Sequence, residues 1–210
     1  MDSNFQNLLY KWPRVVIKDT DIGTVFHNRP GARHSAVKRM LRKKTLLKVR
    51  RGMYLIGKPF VKEPPNPNEI AQMIYGPSYI SFESALSYHQ LIPEAVYATT
   101  SATAKRGKIF NTALGVFRYT HIPVKKFYLG VLRVETKQGA FLMAEPWKAI
   151  ADLCYARRKT WKNLRGLELD LRIEHDNLEE SNRELLKDLA NRYPSRHVQH
   201  ILQMMVKELQ

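Results

Sequence analysis

The chain of 210 residues carries 35 Lys and Arg against 19 Asp and Glu, a formal charge of +16, and 44% of it is hydrophobic. Enough apolar surface is available for a core, which excludes wholesale disorder, and the charge points to a polyanionic partner, nucleic acid or an anionic membrane surface. A single cysteine, Cys154, excludes an intrachain disulfide framework; with no run of about 18 apolar residues and no basic-then-apolar signal after Met1-Asp2-Ser3-Asn4-Phe5, a cytoplasmic protein with no membrane partner is expected.

In chain order, Phe5, Leu8 and Leu9 give the apolar stripe of a short helix that Pro13 ends. Val15-Val16-Ile17 is a β-branched run suited to a short strand. Asp19, Thr20 or Asp21 then caps a brief helix through Ile22, Val25 and Phe26, and His27-Asn28-Arg29-Pro30-Gly31 is a turn by composition. The next segment, Ala32 to Lys43, is the most informative. At about 100° per residue, Val37, Met40 and Leu41 share one side of a helix, while Ser35, Lys38, Arg39 and Arg42 share the other.

Two strand-like runs follow, Leu46-Leu47-Lys48-Val49 and Met53-Tyr54-Leu55-Ile56, around Arg50-Arg51-Gly52. They predict a small hairpin with a basic tip, where Gly52 supplies a positive φ. Helix, turn, basic helix and basic hairpin in that order predict a winged helix-turn-helix that binds double-stranded DNA. Arg33, His34, Ser35, Lys38 and Arg39 are the candidates for base contacts from the N-terminal part of the helix. Arg42, Lys43 and Lys44 are candidates for phosphate, and Arg50 and Arg51 for phosphate or the minor groove.

The charge is unevenly divided. Residues 1–60 hold 14 basic and 3 acidic side chains, the remaining 150 hold 21 and 16. The break falls at Pro64-Pro65-Asn66-Pro67, a stretch that resists both helix and central strand. Two domains are therefore expected, a DNA-binding one over 1–60 and a mixed α/β one with a helical C-terminus over 61–210.

In the second domain Ile70 and Ile74 predict a helix ending near Gly76, and Ser81 is a natural cap for a helix carrying Phe82, Ala85, Leu86 and His89. His89 reads as a packing histidine, since no second ligand stands at metal spacing. Ala98-Thr99-Thr100, Ile109-Phe110, Gly115 to Tyr119 and Tyr128-Leu129-Gly130-Val131 read as strands. Gly139 turns the chain, and Pro146 opens a helix reaching Tyr155. Ser181-Asn182-Arg183-Glu184 is a capping box before Leu185, Leu186 and Leu189. Ser195 caps a last helix whose stripe of Val198, Ile201, Leu202, Met205 and Leu209 reads as core rather than dimer seam. Glu174, Asp176, Glu179 and Glu180 read as a solvated face.

Several of these segments carry a family resemblance. Arg51-Gly52-Met53-Tyr54, Tyr79-Ile80-Ser81-Phe82-Glu83-Ser84-Ala85-Leu86-Ser87, Thr103-Ala104-Lys105-Arg106, Phe117 to Ile122 and Ala144 to Leu153 together resemble the AbiEi antitoxin family over most of residues 30–155. The stretch Tyr79 to Leu86 is the most specific. Trp147 departs from the pattern, standing where the family commonly has Glu before the Lys-Ala pair. The resemblance implies a winged helix that binds inverted repeats in the protein's own promoter and represses its operon. It also implies a second domain that opposes a nucleotidyltransferase-like toxin, without a stable complex between the two being required.

Enzyme readings find little support, and neither a cofactor nor a metal is expected. The chain has no Walker loop, no Gly-x-Gly-x-x-Gly and no Gly-x-Ser-x-Gly. His197-x-x-His200 lacks a completing ligand by spacing, and Glu135-x-Lys137 lacks a positioned upstream carboxylate for a nuclease. Ser81-Phe82-Glu83-Ser84 is a helix start without an identifiable base. The alternatives to a repressor and antitoxin are a stand-alone winged-helix transcription factor with a ligand-sensing second domain and, further off, a DNA-processing nuclease.

Overall fold

The structure, a computed structural model, describes residues 2–27, 29–61, 65–93, 96–136 and 139–209. Met1, Asn28, Pro64 and Lys137, named above, lie outside them. Among the described residues the chain is mixed α+β, with one sheet of three strands and one of six. No helix among them is long and apolar enough to cross a membrane.

The first part runs α1 (Asp2–Lys11), β1 (Val16–Lys18), α2 (Asp19–Gly23), α3 (Pro30–Arg42), β2 (Leu46–Arg50) and β3 (Met53–Ile56). The strands form an antiparallel sheet in the order β1-β3-β2. Its alternation is apolar on both sides. Ile17, Leu46 and Ile56 pack under the helices with Phe5, Leu9, Ile22, Phe26, Val37 and Met40. Val16, Val49, Met53 and Leu55 point the opposite way, into the larger core of the rest of the chain. A strand with period-2 side chains buries both rows only when each face is covered. The small sheet is thus shared by two cores.

Local signals explain most boundaries. Pro30 occupies the first turn of α3, where its missing N–H costs nothing. The brief helix α2 is capped differently from expectation. Lys18 holds the cap position, and the Asp21 carboxylate reaches back to accept its backbone N–H at 2.9 Å. Gly52 sits at φ +71° in the β2–β3 turn, and its carbonyl accepts the Asp19 N–H at 2.9 Å. That bond ties the hairpin tip to the start of α2.

The second part continues with α4 (Pro67–Ile74), β4 (Ser78–Ile80), α5 (Phe82–Tyr88), β5 (Ala98–Thr103), β6 (Lys108–Thr112) and β7 (Gly115–His121). After β8 (Val131–Glu135) and β9 (Ala140–Ala144) come α6 (Pro146–Arg157), α7 (Leu164–Leu171), α8 (His175–Glu179), α9 (Arg183–Arg192) and α10 (Arg196–Glu208). The strand order is β6-β7-β5-β4-β9-β8, with β5–β7 and β4–β9 parallel and the other pairs antiparallel.

Three expectations shift here. Tyr128 to Gly130 is a turn rather than a strand, because Gly130 sits at φ +71° and the strand starts at Val131. The strand β9 has no counterpart among the predicted elements, although Phe141, Met143 and Ala144 are all buried in it. Asn182, not Ser181, caps α9, its side chain accepting the Leu185 N–H at 3.1 Å. The apolar stripe of α10 is core throughout, with Val198, Ile201, Leu202, Met205 and Leu209 buried. Glu174, Asp176, Glu179 and Glu180 are exposed.

Candidate nucleic-acid interface

The helix α3 presents two chemically distinct faces. Ala36, Val37 and Met40 are buried against the small sheet, and His34, Ser35, Lys38 and Arg42 are exposed on the side away from it. Arg39 is half-buried at the flank between the two. Lys43 follows as the C-terminal cap, its N–H bonded to the Arg39 carbonyl at 3.0 Å while the Lys44 N–H bonds the Leu41 carbonyl at 3.1 Å, and the Lys43 side chain is exposed. From Asp21 to Glu63 the chain contains no other acidic residue, so nothing on α3 or its hairpin neutralises this face from within. Basic side chains in the last turn also stabilise α3 itself by meeting the negative end of its dipole.

Arg33 is placed differently from the other base-contact candidates. It points toward α2, pairing with Asp19 at 3.3 Å, and both side chains are only about a third exposed, at 32% and 36%. A terminal guanidinium nitrogen lies 3.3 Å from where a Cβ on Gly23 would stand. The Tyr54 phenol on β3 has its pKa raised by burial and by Asp19, with Arg33 acting against them. Arg33 therefore braces α3 against α2 and β3. Its position near the start of the helix groups it with the recognition candidates, but its angular position lies on the core side, next to Val37 and Met40.

The hairpin carries three further basic residues, Lys48, Arg50 and Arg51. A bulge interrupts β2, where Lys48 faces Tyr54 and Arg50 faces Met53, leaving Val49 as the extra residue. Val49 is buried, and Lys48, Arg50 and Arg51 are exposed around it. Lys48 is an addition to the candidates that the sequence supplies; a lone cation in an otherwise apolar run is the signal that marks it. Burial raises the pKa of the Tyr119 phenol in the second part of the chain, and the charge of Arg50 opposes that rise. Of the two hairpin arginines, Arg51 is the one at the tip.

The other motif residues Ser81, His89, His197 and Glu135 have hydrogen-bond or ion-pair partners within the fold. Ser81 occupies the cap position of α5 but makes no capping bond, its hydroxyl donating instead to Asp152 at 2.8 Å. Capping falls to Thr100 on β5, which accepts the Ser84 N–H at 3.0 Å and donates to the Ser81 carbonyl at 2.7 Å. His89 bonds the Ala144 carbonyl at 2.9 Å, and His197 the Lys159 carbonyl at 2.7 Å. Among the described residues no three His, Cys, Asp or Glu side chains gather at a metal-binding distance. Glu135 pairs with Arg133 on the same strand. Cys154 is buried, which pushes its thiol pKa up to about 11 and holds it as a protonated core residue.

The conspicuous polar feature of the second part is a buried charge cluster. Asp152 on α6 accepts hydrogen bonds from Tyr79 at 2.7 Å, Ser81 at 2.8 Å and Tyr193 at 3.0 Å, and pairs with Lys148 at 2.9 Å. Lys148 is 2% exposed and Asp152 fully buried, so each desolvated charge is met by the other, and the carboxylate also by three hydroxyls. The Lys148 ammonium also lies over the Tyr79 and Tyr193 rings, 5.6 and 4.8 Å from their centroids. Burial, with Asp152 beside them, holds both phenols well above their usual pKa, as proton donors to the carboxylate. This cluster ties β4, α6 and the end of α9 together. Next to it Trp147 is fully buried, and its indole N–H has no hydrogen-bond partner among the described residues.

No protein-family model matches the chain, and no curated protein is significantly similar to it.

Proposed function

We propose that the chain is a DNA-binding transcriptional regulator that represses its own operon, and that it acts as the antitoxin to a nucleotidyltransferase-like toxin. The observation that carries the DNA half is the exposed face of α3, where His34, Ser35, Lys38 and Arg42 stand together beside a hairpin whose tip exposes Arg51, with no acidic side chain on either element. The order α1-β1-α2-α3-β2-β3 with the sheet order β1-β3-β2 supports a winged helix, in which α3 enters the major groove and the hairpin flanks it. Lys38 and Ser35 then face bases, and Arg42, Lys43 and Arg51 face phosphates.

The antitoxin half rests on the resemblance of Tyr79 to Leu86 and Ala144 to Leu153 to the AbiEi family. In this chain Tyr79, Ser81, Lys148 and Asp152 from those two stretches form the buried cluster, which gives both segments a structural role in holding the second part together.

A gel-shift titration against the protein's own upstream region and a scrambled duplex, at two salt concentrations, tests the regulatory half. Preference for the native region supports it. Equal, steeply salt-dependent binding to both duplexes would reduce it to a basic protein on a polyanion. Co-expression with an adjacent nucleotidyltransferase-like reading frame tests the other half, where restored growth is expected.

A further inference from the structure

The face of β6 and β7 that carries Ile109 and Arg118 borders a groove of about 1270 Å3, walled by the end of α6 and the start of α10. Ile109 and Arg118 are register partners, so both project from the same face, while Phe117 and Tyr119 on the other face enter the core. Arg158 reaches the groove from the end of α6, with Tyr155, Thr160 and His197 beside it, and no carboxylate is among the lining residues. Arg118 and Arg158 are exposed, and among the described residues neither guanidinium makes an ion pair or a side-chain hydrogen bond. Their neighbours differ in this respect: Arg157 pairs with Glu83, and Lys159 with Asp170. Arg158 also holds a left-handed backbone, φ +50°, at a helix C-terminus, a conformation that glycine takes at less cost.

We propose that this groove is an anion site for a phosphorylated small molecule, and a nucleoside phosphate is the chemistry that fits it. The phosphate meets Arg118 and Arg158, which offer forked donors. The ring lies against Tyr155 and Ile109, and Thr160 is within the same wall for a sugar hydroxyl. The groove is larger than the range of about 300 to 1,000 Å3 for small-molecule sites, so such a ligand fits in part of it. A compact anion is favoured over a continuous polyanion by what lies beyond. On its other side Arg118 faces a cleft lined by Glu83 and Asp170, so a phosphate backbone running along β7 would meet carboxylates.

The test is calorimetric titration of the full chain with ATP in the presence of a chelator, on the wild type, Arg118→Gln, Arg158→Gly and a Lys38→Gln/Arg42→Gln double variant. One saturable site is expected, weakened at least tenfold by each groove substitution and unchanged by the double variant on α3. Arg158→Gly relieves a left-handed position, so it should melt no lower than the wild type, which separates lost binding from lost folding. Absence of saturable uptake, or uptake that the groove variants leave unchanged, would overturn the proposal. So would a result in which ATP does not bind but a short non-operator duplex does, with affinity that falls in Arg118→Gln and Arg158→Gly; the groove would then be a docking place for nucleic-acid backbone. The DNA reading of α3 stands or falls separately, on operator binding by the Lys38→Gln/Arg42→Gln variant.

Discussion

Asp152 receives three hydroxyl groups and an ammonium from residues that share no element other than its own α6, which Lys148 also occupies. Removing the carboxylate strands the Lys148 charge in the core, where an unpaired buried ion costs about 3–5 kcal/mol. Asp152→Ala should therefore lower the unfolding free energy by about that amount in denaturant titrations. Tyr193→Phe removes one bond to a charged group and should cost about 1.5–3 kcal/mol. A second pair titrates in an accessible range. The His175 imidazole has its pKa raised above 6.5, first by its hydrogen bond to Glu168, at 2.7 Å. Burial opposes ionisation of Glu168, but the bonds from His175 and Arg165 outweigh it and hold the carboxyl below 4.5. The raised histidine stabilises fully below 6.5 and loses that contribution as pH rises through its folded value. The lowered carboxyl stabilises fully above 4.5 and loses its contribution as pH falls through its own. Their joint contribution is thus greatest between those two values, and His175→Asn should flatten the pH dependence of the melting temperature on the alkaline side.

At the scale of single elements, α3 separates two kinds of basic residue. Arg42→Ala, on the exposed face, should weaken binding to all duplexes similarly and make the salt slope shallower by about 0.9 for each phosphate that Arg42 neutralises. Lys38→Ala, if Lys38 reads a base, should instead relax sequence preference by about 1–3 kcal/mol. Arg33→Ala should act through stability and the α2–α3 angle, because its partner is Asp19. Anisotropy titrations paired with melting curves distinguish the three outcomes. The sequence conveys the middle of this helix, since periodicity sets Val37 and Met40 toward the core, and Gly52 marks the hairpin turn; it reads Pro30 and Gly31 as turn, where the structure has them in the first turn of α3. It conveys less about Arg33 and Arg50. Both are basic residues in a basic segment, and what sets them apart is tertiary packing, which gives Arg33 the Asp19 carboxylate and brings the charge of Arg50 within range of the Tyr119 phenol. The same limit explains Ser81. Its local pattern is that of a cap, and a carboxylate 71 residues away takes its hydroxyl.

Across the whole molecule, the composition break suggests two domains, while the sheet β1-β3-β2 contributes side chains to both cores. Met53 and Leu55 sit between them, buried to 1% exposure on the side facing the larger core. Leu55→Ala should cost about 2–5 kcal/mol, as large-to-small core changes do. Monitored by intrinsic fluorescence and by circular dichroism, unfolding should remain a single coincident transition, because the small unit loses half its sheet packing when the larger one opens. Continuous apolar runs in β1 and β3 make this double burial visible in sequence, although they do not say what covers the second face.

The Asp152 cluster has a kinetic corollary. Its hydroxyl partners lie 73, 71 and 41 residues away along the chain. Pairings of such long separation close late, after most of the loop entropy has been spent. Until β4 and the end of α9 have both arrived, α6 would have to bury a carboxylate and an ammonium without the full set of three hydroxyls that the carboxylate accepts from. Partly assembled chains are penalised at the position where the correct assembly is fully satisfied, so the cluster acts as a checkpoint on folding order and should exert its effect mainly on the unfolding rate.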